Sequence, residues 1–344
     1  WLPLDDPRKQ ELWRERNALT DLEPRAARLF GEVIAAGERA LSQSGDFGPA
    51  RELLARAYWR AFEQAEQEGN TRDQVVYGDR VRTYGGAPYR RKLDGDGMLT
   101  LRTDPPGAQV VCHRIDQSGL IWTPMEGEVI GETPIVRMPM KMGSYLLIIK
   151  SEGKRDTRYP VYITRERHWD SGPEPVPLYT DAEIGEGFVY VPAGWAILGG
   201  DPKAARSWSQ EARIVPGFFV SSFPVTVKEY IDFLNDIEFE QASSLCPRVV
   251  DNGESTPYWK AVERKYGVDL TDVDGDYWDL NWPVSGISWH DAVMYADYRN
   301  CRLPNEQEWE KSARGVDGRA FPWGDYFDAS LCWMCESDSD GQYP

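Results

Sequence analysis

The spacing of apolar residues changes period near residue 98, and that change decides what each part of the chain can fold into. Before it, apolar side chains recur at intervals of three and four. One run is Leu19, Leu22, Ala26, Leu29, Phe30, Val33, Ile34 and Leu41; the next is Phe47, Ala50, Leu53, Leu54, Ala57, Tyr58, Ala61, Phe62 and Ala65. Each run is one face of a helix. From Met98 to about Leu178 the period falls to two: Leu99, Leu101, Val110, Tyr145, Leu147, Ile149, Val161 and Ile163 alternate with polar neighbours, the pattern of half-buried strands. A chain of 344 residues with helices first and strands second is predicted to be multidomain α+β.

Punctuation refines this reading. Thr20 is placed to cap a new helix whose first turn holds Pro24, and Asp46 to cap a second with Pro49 in its first turn. Gly69-Asn70 ends that helix, and a third covers about Arg72 to Thr83. Two long helices joined by Ser44-Gly45-Asp46 make an antiparallel hairpin. Residues 1–86 therefore read as a helical domain, which doubles as a scaffold for another protein. Residues 87–97, with Gly95-Asp96-Gly97, read as a linker. Turns at Pro105-Pro106-Gly107, Gly131-Glu132-Thr133-Pro134 and Lys141-Met142-Gly143 divide residues 87–180 into a small antiparallel β-sandwich. Pro173, Pro175 and Pro177 stiffen a connector to a last domain, 181–344.

Charge divides the chain at the same place. Residues 1–86 carry net −2 and residues 87–180 net +1, whereas residues 181–344 carry 13 basic and 29 acidic groups, net −16. So acidic a chain, net −17 overall, is a poor match for nucleic acid or an anionic membrane surface. The longest clean aliphatic run is Leu146–Ile149, far short of the roughly 20 apolar residues of a membrane span. Five scattered cysteines, Cys112, Cys246, Cys301, Cys332 and Cys335, are no disulfide framework, and a reducing cytoplasm is the expected location. The chain starts at Trp1 and stops after Pro344 without a closing element, so we expect a piece of something longer.

Two stretches resemble known families. Thr103-Asp104-Pro105-Pro106-Gly107-Ala108-Gln109-Val110, Gly131-Glu132-Thr133-Pro134 and Gly143-Ser144-Tyr145 resemble the opening, middle turn and closing strand of PEGA-type modules. Such modules are bacterial, non-enzymatic and often appended to signalling proteins. The longer match begins at Phe188–Gly200 and passes through Phe223-Pro224-Val225-Thr226 with Tyr230, Phe233 and Leu234. It continues through Trp282–Ala292, Tyr295, Tyr298, Arg302–Glu310 and Ala313-Arg314-Gly315, and closes at Phe321-Pro322-Trp323-Gly324. This resembles the formylglycine-generating enzyme, or sulfatase-modifying factor, family. The resemblance implies an irregular α+β fold related to C-type lectins, with many aromatic loops.

The residues give the same stretch a structural sense. Ser288 suits an N-cap with Asp291 in the first turn, so that Ala292, Tyr295 and Ala296 share a face. Pro304 sits at a helix start, with Glu306, Glu308 and Glu310 bringing acid to it, and Arg302 can grip a carboxylate there as a fork. A motif built this way identifies a fold and not a reaction.

Enzymes of that family use a cysteine pair to hold copper and activate oxygen on a substrate cysteine. By the resemblance that pair falls downstream of the chain, so no catalytic residue is assigned here. Cys332-Trp333-Met334-Cys335 lies too early, and as a lone CxxC is either a loop pair or half of a zinc or redox site. His113, His168 and His290 are too scattered to suggest a base. The resemblance also implies a structural calcium; the matching positions are Ser330, Leu331, and Asp338 or Asp340, with Ser where the family has Asn. A solvated acidic loop is the competing reading. Asp272-Val273-Asp274-Gly275-Asp276 looks like an EF-hand loop, but its glycine comes too early.

His113-Arg114-Ile115-Asp116 looks like a kinase catalytic loop set in a strand, with no phosphate loop to accompany it. The order of modules nevertheless resembles the region that follows the catalytic domain in some bacterial Ser/Thr kinases. A kinase domain preceding Trp1 is therefore a possible partner. The expected function is a non-catalytic binding or adaptor protein of a bacterial signalling or defence system, recognising a protein or polypeptide ligand. Two alternatives stand: a copper oxidase of the formylglycine-generating type with its cysteines beyond residue 344, and a hypervariable lectin-like receptor.

Overall fold

The computed structural model describes residues 7–67, 69–201, 204, 207–251, 254–267 and 279–332. These fall into two compact units. The first is Trp1–Gly97 with Thr164–Glu166; the second is Met98–Ile163 with Arg167–Pro344.

The first unit is helical: α1 (Pro7–Gln43), α2 (Gly48–Gln67), α3 (Thr71–Tyr84) and α4 (Ala87–Asp94). The helix start expected at Thr20 is not found. Pro24 lies inside an unbroken α1, although proline removes a ladder hydrogen bond and its ring crowds the carbonyl four residues back. The Thr20 hydroxyl donates to the Arg16 carbonyl at 2.9 Å and caps nothing. Where α1 crosses α2, Leu54 seats against Gly37, leaving no room for a Cβ. Phe30, Tyr58, Tyr77 and Tyr84 pack ring on ring, with centroids 5.8 to 6.3 Å apart. Asn70 caps α3.

Residues 87–94 are not a linker. Pro88 opens α4, Leu93 is buried, and Gly95 ends the helix in the left-handed region, donating to the Arg91 carbonyl at 2.9 Å. The Arg165 guanidinium fastens this end. Its Nε and Nη2 donate to Glu66, at 3.1 and 2.9 Å, and its Nη1 to the carbonyls of Lys92 and Leu93. It lies over the Phe62 ring, 4.9 Å from the centroid.

The second unit opens with β1 (Gly97–Leu101), β2 (Thr103–Asp104), β3 (Gln109–Asp116), β4 (Thr123–Pro124), β5 (Glu128–Glu132), β6 (Ile135–Met140), β7 (Gly143–Lys150), β8 (Thr157–Ile163), β9 (His168–Asp170) and β10 (Val176–Pro177). The main sheet runs β4-β3-β7-β8 with β5 also on β3, and every pairing in it is antiparallel. Alternation holds along β8, where Thr157, Tyr159, Val161 and Ile163 are buried. The expectation of an all-antiparallel arrangement needs one correction. β9 lies parallel to β1 (Leu99 opposite Trp169) and β10 parallel to β2 (Thr103 opposite Val176), pairings between segments too distant in sequence to leave a local signature. The proline stretch is consequently no free connector, for Val176 and Leu178 are core residues.

Then follow α5 (Asp181–Ile184), β11 (Phe188–Val191), β12 (Gly194–Leu198), β13 (Glu211–Val215), β14 (Phe218–Ser221), α6 (Val227–Asp236), α7 (Phe239–Leu245), β15 (Arg248–Asp251), β16 (Glu254–Pro257), α8 (Trp289–Tyr298), α9 (Glu306–Arg314) and a 3-10 turn, Ala329–Leu331. β11 pairs with β14, β12 with β13 and β15 with β16, all antiparallel. Ala196, Leu198, Val215 and Val316 share one core with Val110, Leu147, Ile149 and Val161 of the sheet. A second core gathers Tyr230, Phe233, Leu234, Trp259 and Tyr295. Its buried hydroxyl, on Tyr230, donates to the Leu245 carbonyl at 2.9 Å. No helix among the described residues is long and apolar enough to cross a membrane.

Candidate functional site

The motif stretches converge on α8, α9 and the turn after them, where nearly every charged or hydroxyl group is already engaged. At α8 the Ser288 hydroxyl accepts from the Asp291 N–H at 3.2 Å, and Asp291 accepts from the Ser288 N–H at 2.7 Å. This reciprocal cap satisfies two of the helix's orphan donors. At α9 the cap is Asn305, so the helix begins two residues after Pro304. Asn305 and Glu308 exchange backbone N–H bonds at 2.9 Å each. The Arg302 fork donates to both oxygens of Glu308, at 2.7 and 2.6 Å. That fork, then the Asn305 N–H, holds the buried carboxyl below the usual carboxylate range.

One turn on, Glu310 pairs with Arg314 and accepts the Gly199 N–H at 2.7 Å. Arg319 grips Asp317, which also accepts from the Ser144 hydroxyl at 2.7 Å. The closing Phe321–Gly324 turn is architectural too. Gly324 sits at φ +152°, and a Cβ there would stand 2.9 Å from the Trp122 ring and 3.0 Å from the Leu120 carbonyl. What the motif leaves free is aromatic. Trp208, Phe223, Trp289, Trp309 and Tyr326 are 65 to 77 % exposed.

Lys311 is the exception among the charges. It is buried, and its Nζ donates to the carbonyls of Pro192 (2.7 Å) and Gly194 (3.3 Å). Burial pushes its ammonium down to about 8. Between that value and the ordinary lysine value the unfolded chain binds more protons than the folded one. Stability from this group therefore rises with pH across the window, by up to about 3 kcal/mol. Melting wild type and Lys311→Met in parallel from pH 7 to 10 is expected to show the wild type gaining on the variant. A constant difference would mean that the amine is not desolvated.

The other candidates are dispersed. Ser330 and Leu331 form the 3-10 turn, in which the Ser330 N–H and hydroxyl both donate to the Asp328 carboxylate, at 2.9 and 2.7 Å. Asp338 and Asp340 lie outside the described residues, as do Cys335 and Asp272–Asp276. The donors the turn does offer, a hydroxyl and a carbonyl, are of the kind calcium takes. Among the described residues no three His, Cys, Asp or Glu side chains are grouped to hold a metal.

Cys112 and Cys246 are buried and Cys301 is exposed, each as a free thiol. Burial, and then the nearby Glu128, pushes Cys112 up to about 11; burial also raises Cys246, which contacts the Trp259 carbonyl at 3.6 Å. Thiols held protonated do not suit copper, which takes thiolate, so these two do not fit that role. His113 contacts the Met125 carbonyl, and His168 the Thr100 hydroxyl, which is buried and also accepts from the Arg137 N–H.

The sequence reading missed a cavity of about 370 Å³ where the Asp170–Tyr179 stretch passes β12 and the β13–β14 segment. Its wall is drawn from residues forty positions apart, so only the density of aromatics around Tyr179, Tyr190, Trp195, Phe218 and Phe219 hinted at it.

Residues 177–342 match the sulfatase-modifying factor enzyme 1-like domain, and this part of the chain is a domain of that kind. Over 151 residues the chain is 34 % identical to the uncharacterized protein YfmG of Bacillus subtilis, covering 42 % of the chain and 28 % of that protein. It is 29 % identical over 168 residues to the inactive C-alpha-formylglycine-generating enzyme 2 of Bos taurus (42 % of the chain, 56 % of that protein). It is 30 % identical over 176 residues to the formylglycine-generating enzyme of Thermomonospora curvata (43 % and 56 %). The chain thus spans from about a quarter to a little over half the length of these relatives.

Proposed function

We propose that this chain is a non-catalytic binding protein, an adaptor whose sulfatase-modifying-factor domain recognises a polypeptide. One observation carries this reading. Ser288, Asp291, Arg302, Glu308, Glu310 and Arg314 of the motif are consumed in caps and ion pairs, while its tryptophans Trp289 and Trp309 stand in solvent, 67 and 65 % exposed. Exposed tryptophan is poor chemistry and good recognition. Likeness to a relative described as inactive supports the reading; likeness to a formylglycine-generating enzyme keeps the copper oxidase as the alternative. In the helical unit, a groove lined by Ala26, Phe30, Val33, Ala57 and Tyr77 supports a second docking role.

The finer picture belongs to the same proposal: a PEGA-like sandwich as spacer, a lectin-like terminal domain, a structural calcium at Ser330, Leu331, Asp338 and Asp340, and a cytoplasmic bacterial signalling setting beside a kinase. A photo-crosslinking side chain placed at 289 or 309 is expected to trap one discrete polypeptide, and one placed at Lys228 is not. A cysteine peptide incubated with the chain, copper and oxygen is expected to stay a thiol. Aldehyde formation, or equal labelling from all three positions, would overturn the proposal.

A further inference from the structure

The cavity beside the proline stretch has an unusual lining. Five aromatic rings border it: Tyr179, Tyr190, Trp195, Phe218 and Phe219. Three of them form a tight cluster, with centroids 4.9 Å apart for Tyr179 and Tyr190, 5.0 Å for Tyr179 and Phe219 and 5.6 Å for Tyr190 and Phe219. Tyr179 packs edge-to-face on both Tyr190 and Phe219, with ring planes 82° and 73° apart. The charged residues of the lining are Asp170 and Glu174, and the lining contains no Lys, Arg or His. Asp170 is neutralised by Arg102 at 2.7 Å. Glu174 is exposed, with neither ion pair nor hydrogen bond among the described residues.

Aromatic faces carry negative quadrupole density and attract cations, most strongly where water is excluded. A free carboxylate at the rim adds to that attraction, and the acid excess of residues 181–344, net −16, draws cations toward the whole region. An anion meets only repulsion here. A purely apolar ligand leaves Glu174 unused. We propose that the cavity binds an organic cation, the guanidinium or ammonium head of an arginine or lysine side chain presented by a partner polypeptide. This deepens the recognition reading above and rests on it for the polypeptide, though not for the cation.

The test is saturation-transfer NMR on the full chain with three probes: Nα-acetyl-arginine methylamide, Nα-acetyl-lysine methylamide and the uncharged Nα-acetyl-norleucine methylamide. At least one cationic probe is expected to bind through its side-chain end, with the norleucine probe at least about tenfold weaker. Glu174→Gln, an exposed change that leaves the melting temperature alone, is expected to weaken the cation about threefold, and Trp195→Ala roughly fivefold. Equal binding of the norleucine probe, affinities unchanged in both variants, or no binding of either cation would each overturn the assignment. If no cation binds but crosslinking from 289 or 309 still traps one polypeptide, this inference fails and the recognition reading stands. If a cation binds and crosslinking fails, the reverse holds.

Discussion

Phe233→Ala is expected to destabilise the second unit by about 3–5 kcal/mol, the cost of emptying a closed aromatic site. Phe233 is 1 % exposed, with ring centroids 5.4 Å from Tyr230, 5.4 Å from Tyr295 and 5.0 Å from Tyr298. These rings come from α6 and α8, so a smaller side chain opens a hole that neither helix can close without losing its partner. The melting temperature is expected to fall by roughly 10 °C. Phe223, ten residues earlier in the same motif, is the matched control. It is 77 % exposed, and its alanine variant is expected to stay within about 0.5 kcal/mol of wild type. Equal losses from the two would show that the second core is not packed as described.

The other large effect is expected at Arg165. Its fork holds Glu66 and the carbonyls that end α4, and its side chain is only 11 % exposed. Arg165→Ala strands a half-buried carboxylate and two carbonyls, and is expected to cost about 3 kcal/mol. Amide protons of α4 are then expected to exchange roughly a hundredfold faster, read by hydrogen exchange. Arg165→Lys keeps the charge but loses the planar fork and the stacking on Phe62, so it is expected to restore less than half of the loss. Unchanged exchange in α4 would mean that the helix stands without this clamp.

That clamp explains where the sequence could be read and where it could not. Elements whose signal is local were legible: the apolar face of α2, the alternation in β7 and β8, the Ser288 cap, and the reach of Arg302 to an acid in the next helix. α4 was not. Its eight residues lie between Gly85-Gly86 and Gly95 and read as a linker, because what holds them is the burial of Leu93 and an arginine seventy positions on. Pro24 misled for the opposite reason, since a strong local rule was outweighed by a long continuous helix around it. The parallel pairings and the aromatic cavity join distant segments, and no window of sequence contains both partners. At the motif itself the residues were easily identified, while their roles emerged only from the hydrogen bonds that tie them up.

The parallel pairings carry a mechanical meaning. The first strands of the sheet region and its last run side by side in the same direction, tied by Met98 N–H to Arg167, Ser171 N–H to Thr100, Val176 N–H to Arg102 and Leu178 N–H to Asp104, at 2.8 to 3.0 Å. Tension on the chain would enter this region at the start of one strand and leave at the far end of its neighbour. The two would be drawn past each other lengthwise, loading all four bonds together in shear. A region stitched in that way resists stretching until the whole set gives way at once, where an antiparallel closure would unzip one bond at a time.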